Sequence, residues 1–183
     1  LFRSSVERAQ LSDTADLALR RIARDINAAL PNSIRSSDAS FLEFLPVRSG
    51  GRYRASADDV GSDALDLANA GDTSFDVLGG GAQISSGDQI VIYNTGQSGA
   101  DAYAGSNRRA FNGAPGASVA NVVFSGGQFP RHSPSFRFQV VSTPVTYACD
   151  PVSGVLWRYA GYAIQSTQPT ALAGSQLQTN SGA

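Results

Sequence analysis

Residues 1–30 read LFRSSVERAQLSDTADLALRRIARDINAAL, and Pro31 follows. The stretch contains no Gly or Pro and is rich in Ala, Leu and Arg, all strong helix formers. Leu11, Ala15, Ala18, Leu19, Ile22, Ile26, Ala29 and Leu30 recur at spacings of three and four, which places them on one helical stripe. Asp13, Asp16, Arg20, Arg24 and Asn27 occupy the opposite side. Asp16 with Arg20, and Arg21 with Asp25, are opposite charges at i,i+4. Pro31 disfavours helical geometry in the residue before it, so the helix ends at Leu30. The expectation is a single helix over 1–30 whose stripe Leu11, Ala15, Leu19, Ile22 and Ile26 is buried. Phe2, Val6 and Leu17 project from the polar side instead. With Leu1 they read as a contact face for another subunit, because the domain behind the stripe cannot cover them.

Beyond Pro31 the period changes from helical to strand-like. Residues 41–45 (FLEFL) form a short apolar run closed by Pro46. Gly50-Gly51 reads as a hairpin return. Residues 64–67 and 73–78 are weaker strand candidates, while 89–93, 119–124 and 136–141 are stronger ones. Residues 145–149 and 155–159 flank Asp150-Pro151-Val152-Ser153-Gly154, a loop with Pro and Gly where a hairpin turn wants them. Residues 95–117 are rich in Gly, Ala, Ser and Asn without a period, and read as a long surface loop. The tail from Gln165 is polar and reads as loop or extended chain. A helix followed by a run of strands predicts an α+β fold, with the long helix packed on antiparallel sheet. The divisions are a helix over 1–30 and a β-rich globular domain over 31–183.

Composition narrows the chemistry. The 183 residues suit one domain. A net charge of -1 argues against a nucleic-acid partner, which requires a basic face. All positive side chains are Arg, so a Schiff-base lysine and a P-loop lysine are both excluded. Gly79-Gly80-Gly81 therefore lacks the Gly-Lys-Ser/Thr that a phosphate cradle needs at fixed spacing. With one Cys (Cys149) and one His (His132), neither an internal disulfide nor a Cys/His zinc site can form. His132 lies between Pro130 and Pro134 without a Gly-x-Ser-x-Gly elbow, and reads as a surface loop residue. Asp58, Asp59, Asp63 and Asp66 are the densest acidic group, but their spacing does not fit a calcium loop. Asp150 reads as a turn former. Arg20, Arg21 and Arg24 read as a solvated face, or one that meets anionic headgroups or an acidic neighbour. Catalytic, metal and cofactor residues are thus assigned to none of the side chains, and no small-molecule substrate is expected. Tyr147, Trp157, Tyr159 and Tyr162 gather on the hairpin. Trp157 and Tyr159 share a strand face, which reads as core packing or as a candidate ligand or partner surface.

The helix-then-strands order resembles the minor pilin-like proteins of MSHA-type type IV pili. The resemblance is carried by AQLSDTAD at 9–16, LRRIARD at 19–25, ALPNS at 29–33, FLEFLP at 41–46 and GGRYR at 50–54. It continues through SGADAYAG at 98–105, RFQVVSTPVTY at 137–147, Cys149-Asp150 and RYAGYAI at 158–164. These blocks run in order through most of the chain. More distantly the sequence is similar to the J-type minor pseudopilins of type II secretion. The resemblance implies a non-catalytic subunit in the initiation or tip complex of a pilus used in surface attachment. Its partners would be other minor pilins and the major pilin. It further implies a cleaved leader and an apolar half-helix upstream of Leu1, anchored in the bacterial inner membrane. Further strands, and a second cysteine to pair with Cys149, would follow downstream. Before assembly such a protein resides at the inner membrane and periplasm, and afterwards in the extracellular filament. Other roles within its reach are a minor pseudopilin and a glycan- or surface-binding module at a pilus tip.

Overall fold

The computed structural model describes residues 2–170. In chain order these form α1 (Phe2–Asn27), β1 (Arg35–Asp38), β2 (Phe41–Phe44), β3 (Val47–Tyr53), β4 (Ser74–Leu78), β5 (Ala82–Ile84), β6 (Gln89–Ile92), β7 (Arg108–Phe111), β8 (Gly116–Val119), β9 (Asn121–Ser125), β10 (Arg137–Val141), β11 (Val145–Asp150) and β12 (Val155–Ala160). Six strands close into a barrel in the order β10-β3-β4-β9-β7-β6. Four more make an open sheet, β1-β2-β11-β12, and β5 pairs with β8. Every strand pairing is antiparallel.

This overturns the expected α+β headpiece with a long helix packed along a sheet. The molecule is mostly β, and its main core is the barrel interior. Length explains the failure. A 26-residue helix is about 39 Å long, whereas the four-to-six-residue strands of the open sheet span roughly 14–20 Å. The sheet covers only the last turns of α1. Ala18, Ile22 and Ile26 are half-buried there, while Leu11, Ala15 and Leu19 of the same stripe are exposed. A helical stripe announces that a face can be covered; it does not say by what.

The barrel core is Tyr53, Leu65, Phe75, Val77, Ile90, Ile92, Phe111, Val122, Phe124, Phe129, Phe138 and Val140 with smaller neighbours. Alternation along β6 shows how barrel and sheet are joined. Ile90 and Ile92 point into the barrel, and Val91 points outward into a second cluster with Leu30, Leu45, Ala102, Tyr103 and Val141. One barrel wall is therefore buried on both faces, and the chain between α1 and β3 packs against it. Leu30 N–H donates to the Leu45 carbonyl, and Val47 N–H to that of Ala28, tying the end of the helix to the same junction.

Four local expectations change. Gly50 and Gly51 lie inside β3 and do not form a turn. Their lack of a side chain serves close approach, since a Cβ on Gly50 would stand 2.7 Å from the backbone oxygen of Phe138 on β10. The loop over 95–117 contains β7. Its two arginines concealed it, but both guanidinium groups turn to backbone carbonyls, Arg108 to Ala102 and Arg109 to Gly105, Ser106 and Gly127. Residues 64–67 are not a strand, and 119–124 is split between β8 and β9. Gly50→Ala is expected to lower unfolding stability by about 1–3 kcal/mol, the usual range for overpacking. Denaturant titration measures this, and a neutral result would show that β3 and β10 can separate at no cost.

Candidate interaction surface

Helix α1 is fixed at one end. Asp25 accepts hydrogen bonds from Tyr147 Oη at 2.8 Å and from Arg158 Nε at 3.2 Å. Burial, with the Asp25 carboxylate as a second cause, raises the Tyr147 pKa. Asp25 therefore docks the helix on the β11–β12 hairpin, where an i,i+4 contact with Arg21 had been expected. Ile22 and Ala29 pack beside it on Phe44, Val145 and Tyr147. The Asp16–Arg20 pair forms as expected, at 2.7 Å on the exposed surface.

From Ser4 to Leu17 every residue of the helix is exposed. Leu11 is 71% exposed, Leu17 69%, Leu19 64% and Val6 53%. At about 100° per residue, Leu11, Ala15 and Leu19 share one side and Val6 and Leu17 lie on the opposite one. The helix thus presents two apolar seams. Val6 and Leu17 stand where the sequence placed them, away from the domain's core. Leu1 and the side chain of Phe2 lie outside the described residues. The second seam, Leu11 to Leu19, had been assigned to the core.

The hairpin is as the sequence predicts, with Cα partners running from Val145↔Ala160 to Asp150↔Val155. Asp150 shapes its turn, accepting from Val152 N–H and Ser153 Oγ. Trp157 and Tyr159 do share a face, with ring centroids 6.2 Å apart and nearly parallel planes. They differ in access: Trp157 is 41% exposed and Tyr159 only 5%. Tyr159 belongs to a small core with Phe41, Ala148 and Tyr162. Tyr147 is on the other face, against the helix. The expected four-ring gathering is thus divided by the sheet.

Beneath Tyr159's face lies a polar cluster that sequence reasoning missed. Glu43 is fully buried, and both carboxylate oxygens are engaged. Oε2 accepts from Arg35 Nε at 2.5 Å, and Oε1 accepts from Tyr162 Oη at 2.8 Å. Thr146 Oγ1 stands 2.5 Å from Tyr162 Oη. Burial first, then the Glu43 charge, pushes the Tyr162 hydroxyl far above the usual tyrosine range. Arg35 also donates to the carbonyls of Gln165 and Ser166 and lies over the Tyr103 ring, 3.5 Å from its centre. The Glu43 carboxylate is sealed and paired with Arg35, whose side chain stays 21% exposed, so the cluster acts as a latch. A lone Glu in the apolar run FLEFL was the available signal.

Other candidate chemistry disperses. His132 is exposed, and its Nδ1 lies 3.1 Å from Tyr53 Oη, which itself accepts Ser133 N–H. A cleft of about 720 Å³ borders His132, Asp63, Asp66 and Asp72. Its carboxylates bond local groups: Asp63 to Asn121 Nδ2, Asp66 to Ala68 N–H, Asp72 to Asp66 N–H. Asp58 accepts from Ser56 Oγ. Among the described residues no three His, Cys, Asp or Glu side chains converge as a metal site would require. Cys149 is an exposed free thiol. None of the described helices is long and apolar enough to cross a membrane. Comparison with known protein families, characterised proteins and solved structures gives no match.

Proposed function

We propose that the chain is a non-catalytic assembly subunit whose N-terminal helix is its association element, in a filament of the type IV pilus kind. The observation that carries this reading is the pair of opposed apolar seams on the exposed part of the helix. A single partner can cover one seam. Two seams on opposite sides are satisfied together only when the helix lies between neighbours, as in a bundle or filament, where apolar burial favours association. The sequence resemblance to minor pilins supplies the partners: other minor pilins and the major pilin. It also supplies the setting, the bacterial inner membrane and periplasm before assembly and the filament afterwards. The glycan-binding alternative is less well supported, because one half-exposed tryptophan does not make an aromatic platform.

Two double variants test the reading, Val6→Asp with Leu17→Asp for one seam and Leu11→Asp with Leu19→Asp for the other. Each is expected to leave thermal stability of the isolated chain unchanged and to reduce co-purification with the pilins of its system at least tenfold. A large drop in melting temperature with association intact would overturn it, by showing that the seams belong to the chain's own core.

A further inference from the structure

The open sheet treats its two edges differently. The β1 edge is closed by the chain itself: Gln168 Oε1 accepts from Ser37 N–H and Oγ, and Arg35 holds the carbonyls of Gln165 and Ser166. At the other edge stands β12, and among the described residues no strand pairs with its outer side. The direction of its backbone groups follows from one bond. Cys149 N–H donates to the Ser40 carbonyl, at the β2 side of β11. Alternation then turns Ala148 and Thr146 toward β12, where they face Trp157 and Tyr159. Leu156, Arg158 and Ala160 are left with N–H and C=O groups directed outward. Natural edge strands carry protection: inward-pointing charges, lysines, prolines, bulges or very short length. Of these β12 has only one partly buried charge, Arg158, on the face toward the helix. It is six residues long, its register with β11 is unbroken, and Val155, Leu156 and Trp157 are all exposed. The charge it carries, Arg158, is already paired with Asp25.

We propose that β12 is a pairing edge for β12 of a second copy of this chain, joining two four-stranded sheets into one across a two-fold axis. Like charge excludes one register, and covering the exposed Trp157 favours another. Outward-facing residues must oppose one another. Placing Arg158 against Arg158 of the second copy would set like charges directly opposite, which is unfavourable. A shift by one step on each strand sets Leu156 against Arg158 and Trp157 against its own counterpart. Trp157 then occupies the close, non-hydrogen-bonded position on the axis, with Val155 opposite Tyr159 on the same face. The apolar side chains on that face are covered, and each arginine keeps its own Asp25. The pairing adds about four backbone hydrogen bonds and a small contact area, so the dimer is a weak one. This surface is distinct from the helix seams and stands or falls without them.

The test uses the tryptophan, unique in the sequence, and a proline scan. Sedimentation of the full chain over rising concentration is expected to approach about twice the 19.0 kDa of one chain, with a blue shift of Trp157 emission. Amide exchange at Leu156 and Arg158 should slow in step. Leu156→Pro removes an outward N–H and spares the β11 ladder, because proline is tolerated on an edge whose N–H faces solvent. It should abolish both changes while the fold is retained. Trp157→Pro breaks the ladder and should unfold the hairpin, which confirms the assignment of directions. The Leu11→Asp, Leu19→Asp variant should dimerise as wild type. Fast exchange at Leu156 and Arg158 at every concentration would overturn the proposal. So would slow exchange at every concentration, which would mean that the edge is covered within one chain. Loss of dimer in the helix variant alone would place self-association on α1 and equally refute it.

Discussion

Glu43→Ala is expected to lower stability by about 3–5 kcal/mol, the cost of breaking a buried ion pair from one side. For a chain of this size that corresponds to a fall in melting temperature of roughly 6–20 °C. The variant removes the acceptor of both Arg35 and Tyr162 at a position with no solvent access. Arg35 is left largely buried with its charge uncompensated, and the Tyr162 hydroxyl keeps only Thr146. The damage also spreads along the chain. Arg35 holds the carbonyls of Gln165 and Ser166, so the segment that closes the β1 edge loses its fixed anchor. The loss therefore exceeds that of one hydrogen bond. The control is the double variant Arg35→Met, Glu43→Leu, which removes both charges while filling the space. Buried ion pairs replaced by apolar groups of like volume are often neutral or stabilising. The double variant should recover most of the lost stability in a denaturant titration. A Glu43→Ala chain within about 1 kcal/mol of wild type would mean that water reaches this cluster, and the description of it as a sealed latch would be wrong.

Much of the fold was legible wherever the deciding interactions are local. The helix follows from its uninterrupted helix formers, but it ends at Asn27 and not at Leu30 as Pro31 implied, because Ala29 already bridges to Pro46. The β11–β12 hairpin follows from its apolar flanks and the Asp-Pro-Val-Ser-Gly turn. The barrel was not legible, because closure depends on which distant strands meet. β10 joins β3 to β6 across separations that no local pattern encodes. Even β6, the strongest strand signal, gives no hint that its two faces enter different cores. Gly50 and Gly51 illustrate the same limit. A glycine pair has the same local signature whether it permits a turn or a close approach, and only the position of Phe138 on β10 distinguishes them. For the candidate surface, Val6 and Leu17 were found as exposed apolar residues because they break the helical stripe. Leu11 and Leu19 were misassigned because they obey it. The Glu43 cluster was missed because its partners lie up to about 120 residues away in sequence.

Phe75→Ala should be comparably severe, at about 3–5 kcal/mol for a large aromatic side chain removed from a packed interior. Phe75 is fully buried and meets Tyr53 of β3, Phe124 of β9 and Phe138 of β10, with ring centroids 5.8, 6.0 and 5.2 Å away. It projects from β4, so four of the six barrel strands converge on this ring. A closed barrel has no free edge along which to relax, so the cavity stays open and its lining loses contacts on one side. The variant also asks whether barrel and sheet unfold together. The cluster of Leu30, Leu45, Val91 and Val141 joins the outer barrel wall to the segment that leads from the helix into β3. Trp157, at the far edge of the sheet, reports on the sheet, and far-ultraviolet dichroism reports on the whole chain. If the junction couples the two, both signals should move to the same lower denaturant midpoint with one slope. If Trp157 emission keeps its wild-type midpoint while the dichroism shifts, barrel and sheet are separate cooperative units. The shared wall would then be a contact between them and not a common core.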